Sequence, residues 1–248
     1  MKLNNKFAII TGASTGIGQA IAIEFANEGA IVALVARSTD KLEKTKEIIE
    51  TNGGKAEVFT ADLADIQSIL KLVHTIMEKT ARVDILANVA GIWHGADEVY
   101  AGKNIEEMTD KVVTDTLTVG TIAPILLAKN VIPLMTHGGN ILNLSGTFSE
   151  GGKGWLPYYV SKRAIEDMTI GLADDLRNRK NIQVNCISPS DTATEEYKKY
   201  FPEYIDEAVD PKKIALFAVD LCSSPTNIIS GKTFVIKKNQ KPFEGFHL

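Results

Sequence analysis

The chain has 248 residues, 44% of them apolar, and 27 Lys and Arg stand against 31 Asp and Glu for a formal net charge of −4. That length is ample for one large shared core, and charges of both signs are mixed throughout, so no basic stripe offers itself to a nucleic-acid backbone. Two cysteines, Cys186 and Cys222, are too few for a disulfide framework and sit in no metal-ligand spacing, so no metal site is expected.

Seven short apolar, β-branched runs recur along the chain: KFAIIT at 6–11, AIVALVA at 30–36, KAEVFTA at 55–61, VDILANV at 83–89, GNILNLS at 139–145, IQVNCIS at 182–188 and GKTFVIK at 231–237. Amphipathic stretches lie between them. Ile17, Ala20, Ile21 and Phe25 share one helical face, as do Ile66, Ile69, Leu70, Val73 and Met77 in a helix opened by Asp65. The alternation predicts an α/β fold: a doubly wound, Rossmann-type three-layer sandwich on a seven-stranded parallel sheet, with ligands at the carboxyl ends of the strands. A single domain over 1–248 is expected, because the Gly-rich stretches THGGN, SEGGKG and TNGGK are turns rather than linkers. Residues 190–210 interrupt the rhythm with Tyr197, Tyr200, Phe201 and Tyr204 among charges, which fits an inserted substrate lid or a packed surface loop. No apolar run approaches the ~20 residues a bilayer span needs, and a strand-to-helix turn by Thr11 leaves no room for a secretory leader. A cytoplasmic protein with no membrane partner is expected.

Two motifs carry chemistry. After the first strand comes TGASTGIG, where Gly12, Gly16 and Gly18 let a backbone approach a pyrophosphate and aim the positive end of the next helix at it. The spacing, Gly-x-x-x-Gly-x-Gly, departs from the common Gly-x-Gly-x-x-Gly fingerprint. At 156–162 the chain reads LPYYVSK. A lysine three residues after one tyrosine and four after another shares a helical face with both, so geometry leaves Tyr158 and Tyr159 open as partners of Lys162. An ammonium beside a phenol favours the phenolate and lowers its pKa by ~1–3 units.

TGASTGIG, NVAG at 88–91 and Tyr158 with Lys162, in that order, resemble the short-chain dehydrogenase/reductase family from near residue 6 to about 236. The resemblance implies an oxidoreductase that moves a hydride between a nicotinamide cofactor and a small carbonyl or alcohol substrate. In it Tyr158 is the general acid and base, Lys162 assists and holds the nicotinamide ribose, and Tyr159 becomes a packing residue. It further implies a pyrophosphate turn at Gly12, Ser14, Thr15, Gly16, Ile17 and Gly18, adenine contacts at Asp62 and Leu63, and support from Asn88, Ala90 and Gly91. Pro189, Thr192 and Thr194 fall at the carboxamide, and Trp93 and Trp155 at the substrate.

Several positions depart from the pattern. Counting back the family's usual interval from Tyr158 gives Ser145 as the catalytic serine, whereas aligning GNILNLSG on its Asn and hydrophobics puts Gly146 there; Ser145 is the expected residue and Thr147 the substitute hydroxyl. Gly120 stands where the family has an asparagine that holds a relay water. Arg37 follows the second strand where an acid would select NAD(H), so NADP(H) is favoured, although Thr15 is uncharged and Asp40 or Glu43 could pair with Arg37. The resemblance also implies a homo-oligomer, dimer or tetramer, through the helices over 123–135 and 162–176. The rival reading is a dinucleotide-binding sensor or scaffold with a weakened catalytic site.

Overall fold

The structure is a computed structural model describing residues 1–136, 138–148, 151–176, 181–223 and 229–248; the turns expected at 136–140 and 149–154 lie partly outside the described residues. All seven apolar runs form strands: β1 (Phe7–Thr11), β2 (Ile31–Ala36), β3 (Lys55–Thr60), β4 (Ile85–Asn88), β5 (Gly139–Leu144), β6 (Ile182–Pro189) and β7 (Lys232–Ile236). They pair in parallel in the order β3-β2-β1-β4-β5-β6-β7. Every residue of β1 and β4 is buried. Helices on both faces explain why these strands read as unbroken apolar runs rather than alternating ones. The expected seven strands become eight, because β8 (Phe243–Glu244) adds antiparallel to β7. Two residues are too few to show a strand period.

Among the described residues eight α-helices lie between the strands: α1 (Gly16–Asn27), α2 (Thr39–Thr51), α3 (Ile66–Lys79), α4 (Asp110–Leu117), α5 (Ala123–Val131), α6 (Leu156–Leu176), α7 (Glu195–Tyr200) and α8 (Pro211–Ser223). One face of the sheet is covered by a core that includes Ile21, Phe25, Leu42, Ile214 and Val219. The other is covered by Ile69, Leu72, Ile76, Leu127, Val131 and Leu176. Asp65 caps α3 by accepting from the Gln67 and Ser68 amides at 3.0 and 3.2 Å. The apolar arc of α3 is wider than the core it meets: Ile69 and Val73 are buried with Leu72 and Ile76, while Ile66, Leu70 and Met77 stay exposed. Ile122, Ile125, Val160 and Ile170 also leave apolar surface uncovered along α5 and α6.

The sheet order reverses between β1 and β4, and a cleft opens there at the carboxyl ends of the strands. The excursion at 190–210 crosses its mouth. Its stem is closed by Ala193 N donating to Val209 O and Val209 N to Asp191 O, at 2.8 and 2.7 Å, and it carries α7 and a 3-10 turn, Pro202–Tyr204.

One continuous helical run, Asp110–Leu134, is long and apolar enough by length and composition to cross a bilayer, contrary to the sequence expectation that no stretch approaches that size. In this fold Val119, Ala123, Leu127 and Val131 point into the core. The run is interrupted by a π-helical turn, Thr118–Ile122. Pro124 explains it: proline has no N–H for the Gly120 carbonyl four residues back, and its ring crowds that oxygen, so the ladder widens. Gly120 faces α6 so closely that a Cβ there would lie 2.7 Å from both Cβ and Oγ of Ser161. Gly120→Ala should therefore destabilise the protein by about 1–3 kcal/mol in a denaturant titration, despite alanine's better helix propensity, through overpacking. Ser161→Gly in the same chain should recover most of the loss, and a stabilising Gly120→Ala would refute the close approach.

Candidate active site

The cleft begins at the turn between β1 and α1. Gly12 and Gly16 have φ of +71° and +58°, a left-handed conformation that glycine adopts freely. A Cβ on Gly18 would lie 2.2 Å from the Gly12 carbonyl oxygen, so only glycine lets the turn fold onto the first turn of α1. Thr15 precedes α1 without a side-chain cap, and no acid occupies the first helical turn. The leading amides and the positive helix end are left for an anion. This cradle fits the pyrophosphate of a dinucleotide.

From there the cleft is lined by most of the expected residues: Gly12, Ser14, Thr15, Gly16, Ile17, Gly18, Arg37, Asp62, Leu63, Ala90, Gly91, Tyr158, Lys162 and Thr194, with Trp93 at the far end. Asn88, Pro189 and Thr192 stand behind the wall. Asn88 is buried beneath it and donates through Nδ2 to Asn143 Oδ1 at 2.9 Å; Thr192 Oγ1 donates to the Ser190 carbonyl at 2.9 Å. Trp155 is also outside the lining and packs over Tyr158, ring centroids 6.0 Å apart. Two charged lining residues, Lys41 and Glu196, were not among the expected ones. Lys41 joins Arg37 at the end of β2, one helical turn on, where Ser38 caps α2 by accepting from the Lys41 amide at 3.4 Å. Glu196 and His94 line the lid side. Neither Asp40 nor Glu43 forms an ion pair with Arg37 among the described residues.

At the other end, α6 brings Tyr158 and Lys162 together. Lys162 Nζ lies 5.3 Å from the Tyr158 ring centroid and donates to the Leu144 carbonyl at 2.8 Å. Tyr159 is a packing residue in this fold, set edge-on to Phe148 at 5.1 Å with the Arg163 guanidinium 5.0 Å from its ring centroid. Among the described residues no hydrogen bond engages the Tyr158 hydroxyl. Burial, and secondly the Asp191 charge, hold the Tyr158 pKa above its ordinary value. Burial pushes Lys162 down to about 8. The simple expectation of a phenol lowered by its ammonium is thus not met, because loss of water outweighs the neighbouring charge.

Ser145 does not reach the cleft. It is buried, with its hydroxyl 2.6 Å from Glu166 Oε1 and 3.0 Å from the Lys162 carbonyl, and its single proton can serve one of them. Side chains alternate at the end of β5, so a serine that follows Leu144, whose carbonyl takes Lys162, is turned under α6. Gly146 occupies the next place; a Cβ there would meet nothing nearer than Phe148 at 3.7 Å. Thr147 is anchored by its amide to the Pro189 carbonyl at 3.0 Å.

Glu166 was missed because its sequence neighbours give no sign of burial. It is fully buried and also accepts from the His247 amide through Oε2 at 2.7 Å, so the tail is fastened to the helix that carries Tyr158. The tail is held again by Phe148 N and Arg163 Nη2 donating to the Leu248 carbonyl at 3.0 and 3.2 Å. After burial, two charges act on Lys162, those of Cys186 and Glu166, both raising its pKa. The Cys186 thiol is itself pushed up to about 12 by burial and stays uncharged near neutrality, which leaves Glu166 as the acting charge. Glu166→Gln should then move the Lys162 titration below 8, making the ratio of ammonium to amine at pH 8 about tenfold smaller, read by NMR of 15N-lysine-labelled protein. The folded pKa lies below the ordinary 10.5, so the cost of the buried charge is fully present below about 8 and is relieved as pH rises from there toward 10.5. An unmoved titration would remove Glu166 from the site.

A family model described as short chain dehydrogenase matches residues 6–204. An uncharacterized oxidoreductase of Bacillus subtilis strain 168, YxbG, is 33% identical over 93% of this chain and 89% of its own. A metagenomic short-chain oxidoreductase in complex with NADP superposes with a TM-score of 0.82 at 25% identity over 97% of this chain and 100% of that one. L-sorbose reductase from Gluconobacter frateurii, complexed with NADPH and L-sorbose, does so with a TM-score of 0.82 at 26% identity over 96% and 97%. With its glycine turn and its Tyr158–Lys162 helix inside the matched span, the chain belongs to the short-chain dehydrogenase family.

Proposed function

We propose that this NAD(P)-dependent oxidoreductase prefers NADP(H) and interconverts a carbonyl and an alcohol, with Tyr158 as the proton donor. The observation that carries the reading is the placement of Tyr158 and Lys162 on one wall of the cleft that starts at the glycine turn. The bound nicotinamide supplies or accepts a hydride. In reduction the carbonyl carbon takes that hydride, the C=O electron pair moves to oxygen, and the oxygen takes the proton of the Tyr158 hydroxyl. The Lys162 ammonium then steadies the phenolate until water restores its proton. A phenol held protonated by burial suits this direction at neutral pH. Lys162, at about 8, keeps most of its charge there.

Arg37 and Lys41 support the cofactor preference: two cations at the end of β2, neither in an ion pair with an acid among the described residues, favour a 2′-phosphate over a bare ribose hydroxyl. Two similar structures hold NADP or NADPH. Ser145 acts in this reading as a positioning residue, setting Glu166 beneath Lys162 rather than polarising the carbonyl. A site whose serine place is a glycine is expected to be slow. The same absence favours the second reading, a dinucleotide-binding sensor.

The test is NADPH oxidation across a panel of ketones. Tyr158→Phe should lower kcat by roughly 10²–10⁴, and Arg37→Asp should shift preference toward NADH by about tenfold or more. NADPH binding with no turnover of any ketone would instead establish the sensor. Gly146→Ser, for which the space exists, should raise kcat by about tenfold, since one donor aimed at the developing oxyanion is worth at least that; an unchanged kcat would mean that another group fills the role.

A further inference from the structure

The chain has two tryptophans: Trp93 lines the far end of the cleft, and Trp155 packs beside it over Tyr158. They reach each other through Phe201 of the lid. Trp93 and Phe201 have centroids 6.3 Å apart with planes tilted 30°, Phe201 and Trp155 6.3 Å with 39°, and Trp155 and Tyr158 6.0 Å with 47°. Phe148 closes the far side of Tyr158 at 5.9 Å. These are tilted faces rather than tight stacks. A flat ring inserted between two of them needs two contacts of ~3.5 Å, so a small outward movement of Phe201 makes the slot.

That movement is inexpensive. Among the described residues the lid meets the opposite loop through exposed contacts: Lys199 Nζ and Tyr200 Oη both donate to the Ala96 carbonyl at 3.0 and 3.3 Å, Lys199 pairs with Asp97 at 3.9 Å, and the Tyr200 ring packs against Trp93 and His94 at 5.9 and 5.5 Å. Exposed hydrogen bonds exchange readily with water. The indole and phenyl faces offer a polyol little, because each indole carries one donor and a phenyl ring none. The acids near the slot are also unfavourable to an anion: Glu196 lines the cleft and Asp191 acts on Tyr158, while the nearby Lys199 ammonium already faces Asp97 and the Ala96 carbonyl.

We propose that the substrate is an uncharged ketone, or the matching alcohol, carried on a flat aryl or fused ring that lies between the two tryptophans and Phe201. The carbonyl chemistry rests on the oxidoreductase reading, whereas recognition of the ring does not. Both tryptophans report the slot directly, so binding is followed by their fluorescence in Tyr158→Phe protein saturated with NADP+, where turnover does not intervene. The probes are 1-tetralol, the anion mandelate and sorbitol. 1-Tetralol should quench with a half-saturation at least tenfold below those of mandelate and sorbitol. Phe201→Ala should weaken 1-tetralol at least fivefold and Phe201→Leu less, with NADP+ affinity unchanged in both as the sign of an intact fold. Equal or tighter binding of mandelate or sorbitol, or a Phe201→Ala protein that binds 1-tetralol as before, overturns the proposal. Oxidation of 1-tetralol by unaltered enzyme separates the two readings: ring-selective binding without turnover leaves the slot standing and removes the oxidoreductase, and turnover without ring preference does the reverse.

Discussion

An ammonium buried inside a protein is costly, and much of the architecture around Lys162 answers that cost. Lys162 is 2% exposed. A cation taken out of water needs a near-ideal acceptor and a compensating charge, or it surrenders its proton. The Leu144 carbonyl is the acceptor, held at the end of β5 by the parallel ladder. Glu166, one helical turn after Lys162, is the charge, and it is fixed by Ser145 on one side and the His247 amide on the other. A single helix face thus carries Tyr158, Lys162, Glu166 and Thr169 in register, and the last residues of the chain fasten that face from outside.

The same face ties the two ends of the cleft together. Thr169 accepts from Asn143 Nδ2 at 2.9 Å, and Asn143 Oδ1 accepts from Asn88 Nδ2 at 2.9 Å. Asn88 ends β4, where Thr11 Oγ1 accepts the amides of Val89 and Ala90 at 3.0 and 3.2 Å and so sets the wall opposite the glycine turn. A buried amide left without a partner costs about 1–3 kcal/mol, so each asparagine fixes its neighbour's orientation. The closeness of Gly120 to Ser161 belongs to this arrangement: α6 can approach the π-helical turn because neither residue is large there. An asparagine at 120 would have to push α6 back, and the rest of the thread with it.

The elements that sequence revealed are those whose signal is repeated many times. Seven apolar, β-branched runs announced the sheet, and the glycine turn was legible because only glycine tolerates its dihedrals and its backbone contact. What was hidden depends on direction rather than composition. Ser145 lies at the right count from Tyr158, yet the strand's alternation turns it toward Glu166; a chain interval is insensitive to the pleat. Lys41 was invisible because its relation to Arg37 passes through a capped helix start. Glu166 looked like a surface acid in a helix that also holds Arg163 and Asp167. The choice between Tyr158 and Tyr159, open on spacing alone, is made by packing, since Phe148 and Arg163 occupy the ring of Tyr159.

On the proposed reading, the same balance between burial and charge favours the reductive direction. A phenol raised by burial is held in its neutral form, while a lysine lowered to about 8 still carries most of its charge at neutral pH. Such a pair gives up a proton only when negative charge on a substrate oxygen draws it, which happens as a hydride arrives at a carbonyl. Running the other way, Tyr158 must begin as a phenolate, and the protein alone does not favour that form. The positive charge of an oxidised nicotinamide placed against the same wall would, and removing the last water around Tyr158 would oppose it. On the proposed reading, burial therefore makes Tyr158 a proton donor in reduction, and the oxidative direction would depend on positive charge brought by the cofactor.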